Sequence, residues 1–327
     1  MVDDPASVVG ADDSDHGDKP NPPRPGAIRG MKIYEEGPGD AVGSEADGTP
    51  VAVGSGTPNS GKNDDKYYEI GESVIRRMGE RQHYFADAYP FRVLLKESHA
   101  EVASRTPARD LYIYLLWCSL VNKYGDTASR VKYTNSFEVA SAGFMEHQLP
   151  MRACVKVFGV NSSVDEIWPT KLKEKIESLA AKLRLATQEF TPGDFSDHNV
   201  GDGGLDVVGW VDNGDEENRV LVALGQCATG ADWRNKQSSA SAEQWGAYIN
   251  FRNPPVVYLF VPHDLRDECG KWRAPTKFRG TIPIDRLRFV RSLVHLGDEV
   301  SIRPTRHRVG YVVKESADEI LETLRLT

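Results

Sequence analysis

The chain has 327 residues, of which 39% are hydrophobic and 27% charged, with a formal net charge of −8. That balance is ordinary for a globular protein with a substantial core. No apolar run approaches eighteen residues and the start, Met1-Val-Asp-Asp-Pro5, is acidic, so neither a membrane span nor a signal peptide is expected.

The charge is unevenly distributed. Residues 1–65 hold thirteen Asp and Glu against five Lys and Arg, so the remaining residues, with 35 of each sign, sum to zero. Within this neutral body, residues 263–314 carry twelve Lys and Arg against six acids. Such a basic stretch suits either phosphate or a merely solvated surface. The four cysteines are widely spaced and form no Cys-x-x-Cys pair, as expected of a reduced, cytoplasmic protein. Cys269 with His263 is conceivable as a zinc pair, but loop chemistry explains both more cheaply.

Residues 1–65 are rich in Asp, Gly, Pro and Ser and lack apolar periodicity, which predicts a disordered acidic tail. A helical N-terminal region is expected over 66–130, with helices near Glu72–Met78 and Leu111–Tyr124, the second apolar nearly all round. Between them, Ala88–Lys96 reads equally as a strand or a short helix. Asn135–His147 opens on a capping residue and carries Phe137, Ala140 and Phe144 at helical spacing. Pro169–Leu185 predicts a long amphipathic helix whose lysines form a solvated face. A loop then brings Asp194, Asp197 and His198 toward the central segment, in a stretch that turn chemistry explains as well.

That central segment is Gly201-Asp-Gly-Gly-Leu-Asp-Val-Val-Gly-Trp210 with its return, Arg219-Val-Leu-Val-Ala-Leu-Gly-Gln-Cys-Ala228. A polar, Gly-bearing loop joins them, so they predict an antiparallel hairpin. Pairing Trp210 with Val222 near the loop puts Asp206 beside Gln226 at the open end, on the face of Val208 and Leu224. A carboxylate and an amide buried at the end of an apolar hairpin are costly unless something binds them. Mg²⁺, which takes oxygen ligands, suits the Asp206 carboxylate and the Gln226 carbonyl oxygen. The small Gly-Asp-Gly-Gly run would let a nucleic-acid backbone come close. Beyond the hairpin a helix is predicted over Asn235–Asn250, then a buried strand in Asn253–Pro262, then helices over Ile284–Leu293 and Ala317–Leu324.

Asp202-Gly-Gly-Leu-Asp206, followed by a hairpin and Gly225-Gln-Cys227, resembles the core of the PD-(D/E)xK nuclease superfamily, nearest to Mrr-like restriction endonucleases and bacterial antiphage-defence nucleases. The resemblance spans 131–262 and implies an α/β, restriction-endonuclease-like core: a central mixed sheet flanked by helices, with a helical N-terminal extension and a basic C-terminal region, 263–327, packed on it. It implies a metal-dependent endonuclease acting on DNA, with Mg²⁺ or Mn²⁺ held by Asp206, Gln226 and Glu138, the last from the first core helix. Asp202 reads as a supporting group or a turn residue, and Glu138 equally as a surface glutamate in the first turn of its helix.

The family pattern also wants a lysine two residues after Gln226, where this chain has Ala228. Either the site is inactive or an ammonium arrives from elsewhere, Lys236 being the nearest candidate. The resemblance implies a partner ATPase, helicase or sensor protein of a defence operon. The alternative is an inactive nuclease-fold subunit that binds nucleic acid or such a partner.

Overall fold

Apolar strands between residues 153 and 284 build one sheet with two buried faces. The computed structural model describes residues 60–94, 96, 99–159, 168–191, 195, 201–295 and 301–323. Most of the acidic tail, with Asp194, Asp197 and His198, therefore lies outside the described residues.

The sheet runs β3 (Ala153–Val157), β4 (Val207–Val211), β5 (Leu221–Cys227), β6 (Val256–Phe260), β7 (Ile282–Ile284) in spatial order. The first three strands are antiparallel, and β5, β6 and β7 are parallel. The sheet is therefore mixed, and β6, with its Val-Val-Tyr-Leu-Phe sequence, is interior as expected of a wholly apolar strand. The hairpin register pairs Trp210 with Val222 and Val208 with Leu224.

Strand alternation divides the side chains between two cores. Val155, Val157, Val207, Ala223 and Phe260 pack on one face against α2 (Pro107–Tyr124), α3 (Thr127–Gln148), α6 (Arg286–Leu293) and α7 (Val309–Thr323). Val208, Trp210, Val222 and Leu224 pack on the other against α4 (Leu172–Lys182) and α5 (Ala242–Gly246). The first core takes in Tyr84 and Ile320 alike, so the N-terminal helices and the C-terminal segment share it with the strands.

Several predicted boundaries move, for local reasons. The helix expected from Asn135 begins at Thr127, where the Asp126 side chain accepts from the Ser129 amide at 2.7 Å. Glu138 is consequently in mid-helix and buried instead of in the first turn. The helix expected over Asn235–Asn250 is a run of turns through residue 240, followed only by α5, capped by Ser241. The serines of Gln237-Ser-Ser-Ala-Ser241 compete for backbone groups and so resist a continuous helix. The undecided Ala88 stretch is both things in turn, a single 3₁₀ turn at Ala86–Ala88 and then β1 (Phe91–Leu94), which pairs with β2 (His99–Val102). Residues 60–65, expected in the tail, belong to α1 (Ser60–Phe85).

Part of the basic C-terminal stretch is spent on the fold. Arg266 makes two bonds to Asp285, at 2.7 and 3.0 Å, and stacks on Trp272. Arg286, buried, donates to the Pro262 carbonyl, the Tyr112 hydroxyl and the Ser119 hydroxyl. Arg306 donates to the Ala153 and Met151 carbonyls. These guanidiniums tie elements together and are not part of a free phosphate footprint.

α1 is fastened to the loop after β6 through Asp264. Its carboxylate accepts from Arg81 Nε at 2.8 Å and the Tyr84 hydroxyl at 2.7 Å. Burial alone would raise its pKa, but the Tyr84 hydroxyl and the Arg81 guanidinium override burial and hold it below the ordinary value. A depressed folded-state pKa contributes stability above the unfolded carboxylate range that is lost as pH falls through the folded value. Asp264→Asn is therefore expected to cost about 2 kcal/mol at neutral pH. In thermal melts across pH, the gap between variant and wild type should narrow below about pH 4.

Candidate functional site

Asp206 sits just before β4, where the chain is gripped from both neighbouring strands. Its amide donates to the Gly225 carbonyl at 3.0 Å, and its own carbonyl accepts from the Phe158 and Gly159 amides at 2.7 and 3.1 Å. Its Oδ2 accepts from the Cys227 amide at 2.6 Å and from Gln226 Nε2 at 2.7 Å. Asp206 and Gln226 thus meet on one side of the sheet, as the hairpin register predicts.

The turn that delivers Asp206 requires its glycines. Gly203 and Gly204 both have positive φ, at 62° and 76°. A Cβ on Gly204 would lie 2.4 Å from the Ser239 Cβ and 3.1 Å from Gln226 Oε1. The small run therefore serves close packing within the chain, not the approach of a nucleic-acid backbone. Asp202 closes the turn by accepting from the Gly204 amide at 2.8 Å, and its charge also acts on the buried group behind it.

Two further side chains converge on Asp206. Glu138 reaches in from α3, and a Cβ on Gly159 would come within 2.5 Å of Glu138 Oε2. Lys175 reaches in from α4, donating to the Phe158 and Gly159 carbonyls at 3.1 and 3.4 Å. Asp206, Gln226, Glu138 and Lys175 keep only 7, 7, 6 and 3% exposure, which makes them a buried polar group and not a surface cluster.

The electrostatics of this group are strained toward negative charge. Burial raises the Glu138 pKa, and the Asp206 and Asp202 charges raise it further, against the opposing pull of Lys175. Asp206 is raised by burial and by Asp202, with the Cys227 amide, Lys236 and Gln226 pulling the other way. Burial lowers the Lys175 pKa although Asp202, Glu138 and Asp206 all draw it up. Glu138 Oε2 and Gln226 Oε1 are buried without a hydrogen-bond partner. Two orphaned oxygens beside carboxylates that repel one another are the donor chemistry of a hard divalent cation, and these residues fit one. Among the described residues no group of three His, Cys, Asp or Glu side chains is disposed to hold a metal, so any such site draws on the amide oxygen as well.

Lys236 is exposed on the turns after β5, although its charge reaches Asp206. Lys175 is the buried lysine that sequence reasoning missed by assigning the α4 lysines to a solvated face. Its signal is positional: Leu172, Ile176 and Leu179 form the apolar stripe of α4, and Lys175 occupies the i+3 place within it. The surroundings of position 228 are apolar: Ala228 is fully buried in a cluster with Trp233, Leu259 and Val261. The zinc pairing finds no support, since Cys269 is exposed and His263 bonds through Nε2 to the Gly230 carbonyl.

Comparison of the chain with family models, with curated proteins and with solved structures gives no match. No described helix is long and apolar enough to cross a membrane.

A carboxyl with a raised folded-state pKa favours folding most below its unfolded value, and that contribution is lost as pH rises through the folded one. The metal-free protein should therefore lose melting temperature as pH rises above the ordinary carboxylate range, near about 4. Glu138→Gln should flatten that loss and also reduce the melting-temperature gain on adding Mg²⁺ or Mn²⁺. A steeper pH dependence in the variant than in wild type would contradict this account of the site.

Proposed function

We propose that the chain is a metal-dependent endonuclease that hydrolyses phosphodiester bonds in DNA. The observation that carries this reading is that Asp206, Gln226, Glu138 and Lys175, from four different segments, form one buried and electrostatically linked group that includes two unpartnered oxygens. Support also comes from element order. α3, β3, β4, β5, α5 and β6, with the first three strands antiparallel and β6 parallel to β5, come in the order expected of a restriction-endonuclease-like core, with α4 inserted between β3 and β4.

In this mechanism the Asp206 and Glu138 carboxylates and Gln226 Oε1 would hold Mg²⁺ or Mn²⁺. When bound, the cation supplies Lewis-acid polarisation of a phosphoryl oxygen and an acidified water. The Cys227 amide and Gln226 Nε2 fix the rotamer of Asp206, so its second oxygen is presented without reorganisation. Gly159 leaves room for Glu138 to stand against the backbone.

Lys175 replaces the lysine absent at Ala228. Its ammonium, held on two carbonyls, orients the attacking water and offsets charge growing on the phosphoryl group. The resemblance to antiphage-defence nucleases extends the proposal to restriction of invading DNA, with a partner ATPase, helicase or sensor as the trigger.

One observation favours a second reading, an inactive nuclease-fold subunit. Gln226 donates to Asp206 and so satisfies with protein groups a carboxylate oxygen that a metal could otherwise take.

Incubation with supercoiled plasmid and Mg²⁺ or Mn²⁺ separates the two. Cleavage that Asp206→Ala abolishes and Lys175→Met slows about 100-fold or more supports the enzyme. Lys236→Met should cost less than about tenfold. Melting curves of each variant guard against misfolding, and Lys175→Arg, which keeps the charge, should restore part of the rate. DNA binding with no cleavage under either metal establishes the inactive subunit instead.

A further inference from the structure

The proposed chemistry uses Lys175 and leaves Lys236 unassigned. Lys236 stands on the turns 231–240, which are joined to the segment 271–280. Gln237 Nε2 donates to the Lys277 carbonyl at 3.1 Å, Gln237 Oε1 accepts from the Arg279 amide at 3.4 Å, and Trp233 stacks on Phe278 at 5.6 Å. The two segments therefore form one ridge.

Arg234, Lys236, Lys277 and Arg279 are all exposed on it, and none makes an ion pair with a described carboxylate. The ridge borders the buried group. Ser239, on the same turns, lies where a Cβ of Gly204 would fall, and the Lys236 charge is felt at Asp206. A run of exposed cations with no carboxylate partner, next to a buried acidic group, is an uncommon expense unless a polyanion lies along it.

We propose that this ridge binds the sugar–phosphate backbone of double-stranded DNA and leads it toward Asp206, so that Lys236 is a substrate-binding residue and not a catalytic one. The inference rests on the nuclease reading for its choice of substrate. Charge complementarity argues for phosphate. The aromatic residues argue for duplex over single strand, because their faces are taken. Trp233 is buried under Phe278, and Trp272 carries Arg266 at 3.4 Å and Arg288 at 4.9 Å. No open ring remains on the ridge for bases to stack on, the contact on which single-strand binding depends.

The test uses the full chain in chelator, so that binding is read without cleavage, with a fluorescent duplex of about thirty base pairs and its single strand as probes. The variant Arg234→Gln, Lys236→Gln, Lys277→Gln, Arg279→Gln should weaken duplex binding by at least about tenfold and reduce the slope of log K against log salt by about 3. Lys123→Gln with Lys314→Gln, exposed cations elsewhere, should leave both unchanged. Unaltered affinity and slope in the fourfold variant, or single strand bound tenfold better than duplex, overturns the ridge. The two readings fail separately. Duplex retention that depends on these cations in a chain that cleaves nothing upholds the ridge and sinks only the hydrolase. Cleavage by a chain whose retention ignores them sinks only the ridge.

Discussion

The site depends on how Asp206 is held. Its backbone bonds to the end of β3 on one side and to β5 on the other, and its carboxylate accepts from the Cys227 amide and Gln226. An ionisable group this deeply buried persists only where its partners are fixed before it arrives, and here the fixing is done by strand pairing. Everything else in the group is measured from that corner. Glu138 and Lys175 come from helices on opposite faces of the sheet and reach it by way of the same residue, Gly159.

This arrangement has a thermodynamic consequence. Three carboxylates, Asp202, Asp206 and Glu138, act on one buried lysine, and the two buried acids are driven toward their protonated forms. A fold optimised for stability alone would place apolar groups there, as it does on the rest of both sheet faces. Polar groups set against one another in this way cost stability and single the place out as the candidate functional site.

The cations of the chain divide into two populations that a count along the sequence cannot separate. Arg266, Arg286 and Arg306 are consumed by the fold, each bonded to acceptors on elements distant in sequence. Arg234, Lys236, Lys277 and Arg279 remain at the surface, on two segments far apart in sequence but joined through Gln237. Both populations read alike as composition. Only burial and hydrogen-bond partners tell them apart.

The hairpin and its register were legible in the sequence, because period-2 alternation over Val207–Val211 and Leu221–Cys227 leaves one pairing that buries both apolar sets. That register alone put Asp206 beside Gln226. The buried β6 was legible for the same reason, its uninterrupted apolar run having no polar side to show to water. Lys175 was not, because a charge on an amphipathic helix is expected to face solvent; only the packing of α4 on the sheet turned that position inward, toward carboxylates supplied by two other segments. Glu138 needed the true start of α3 at Asp126 to become a mid-helix, core-facing residue. Local pattern thus determined which strands pair and which side chains line the hairpin. Which charges meet at its end was decided by tertiary packing, since that depends on helices meeting across the sheet and no sequence spacing encodes it.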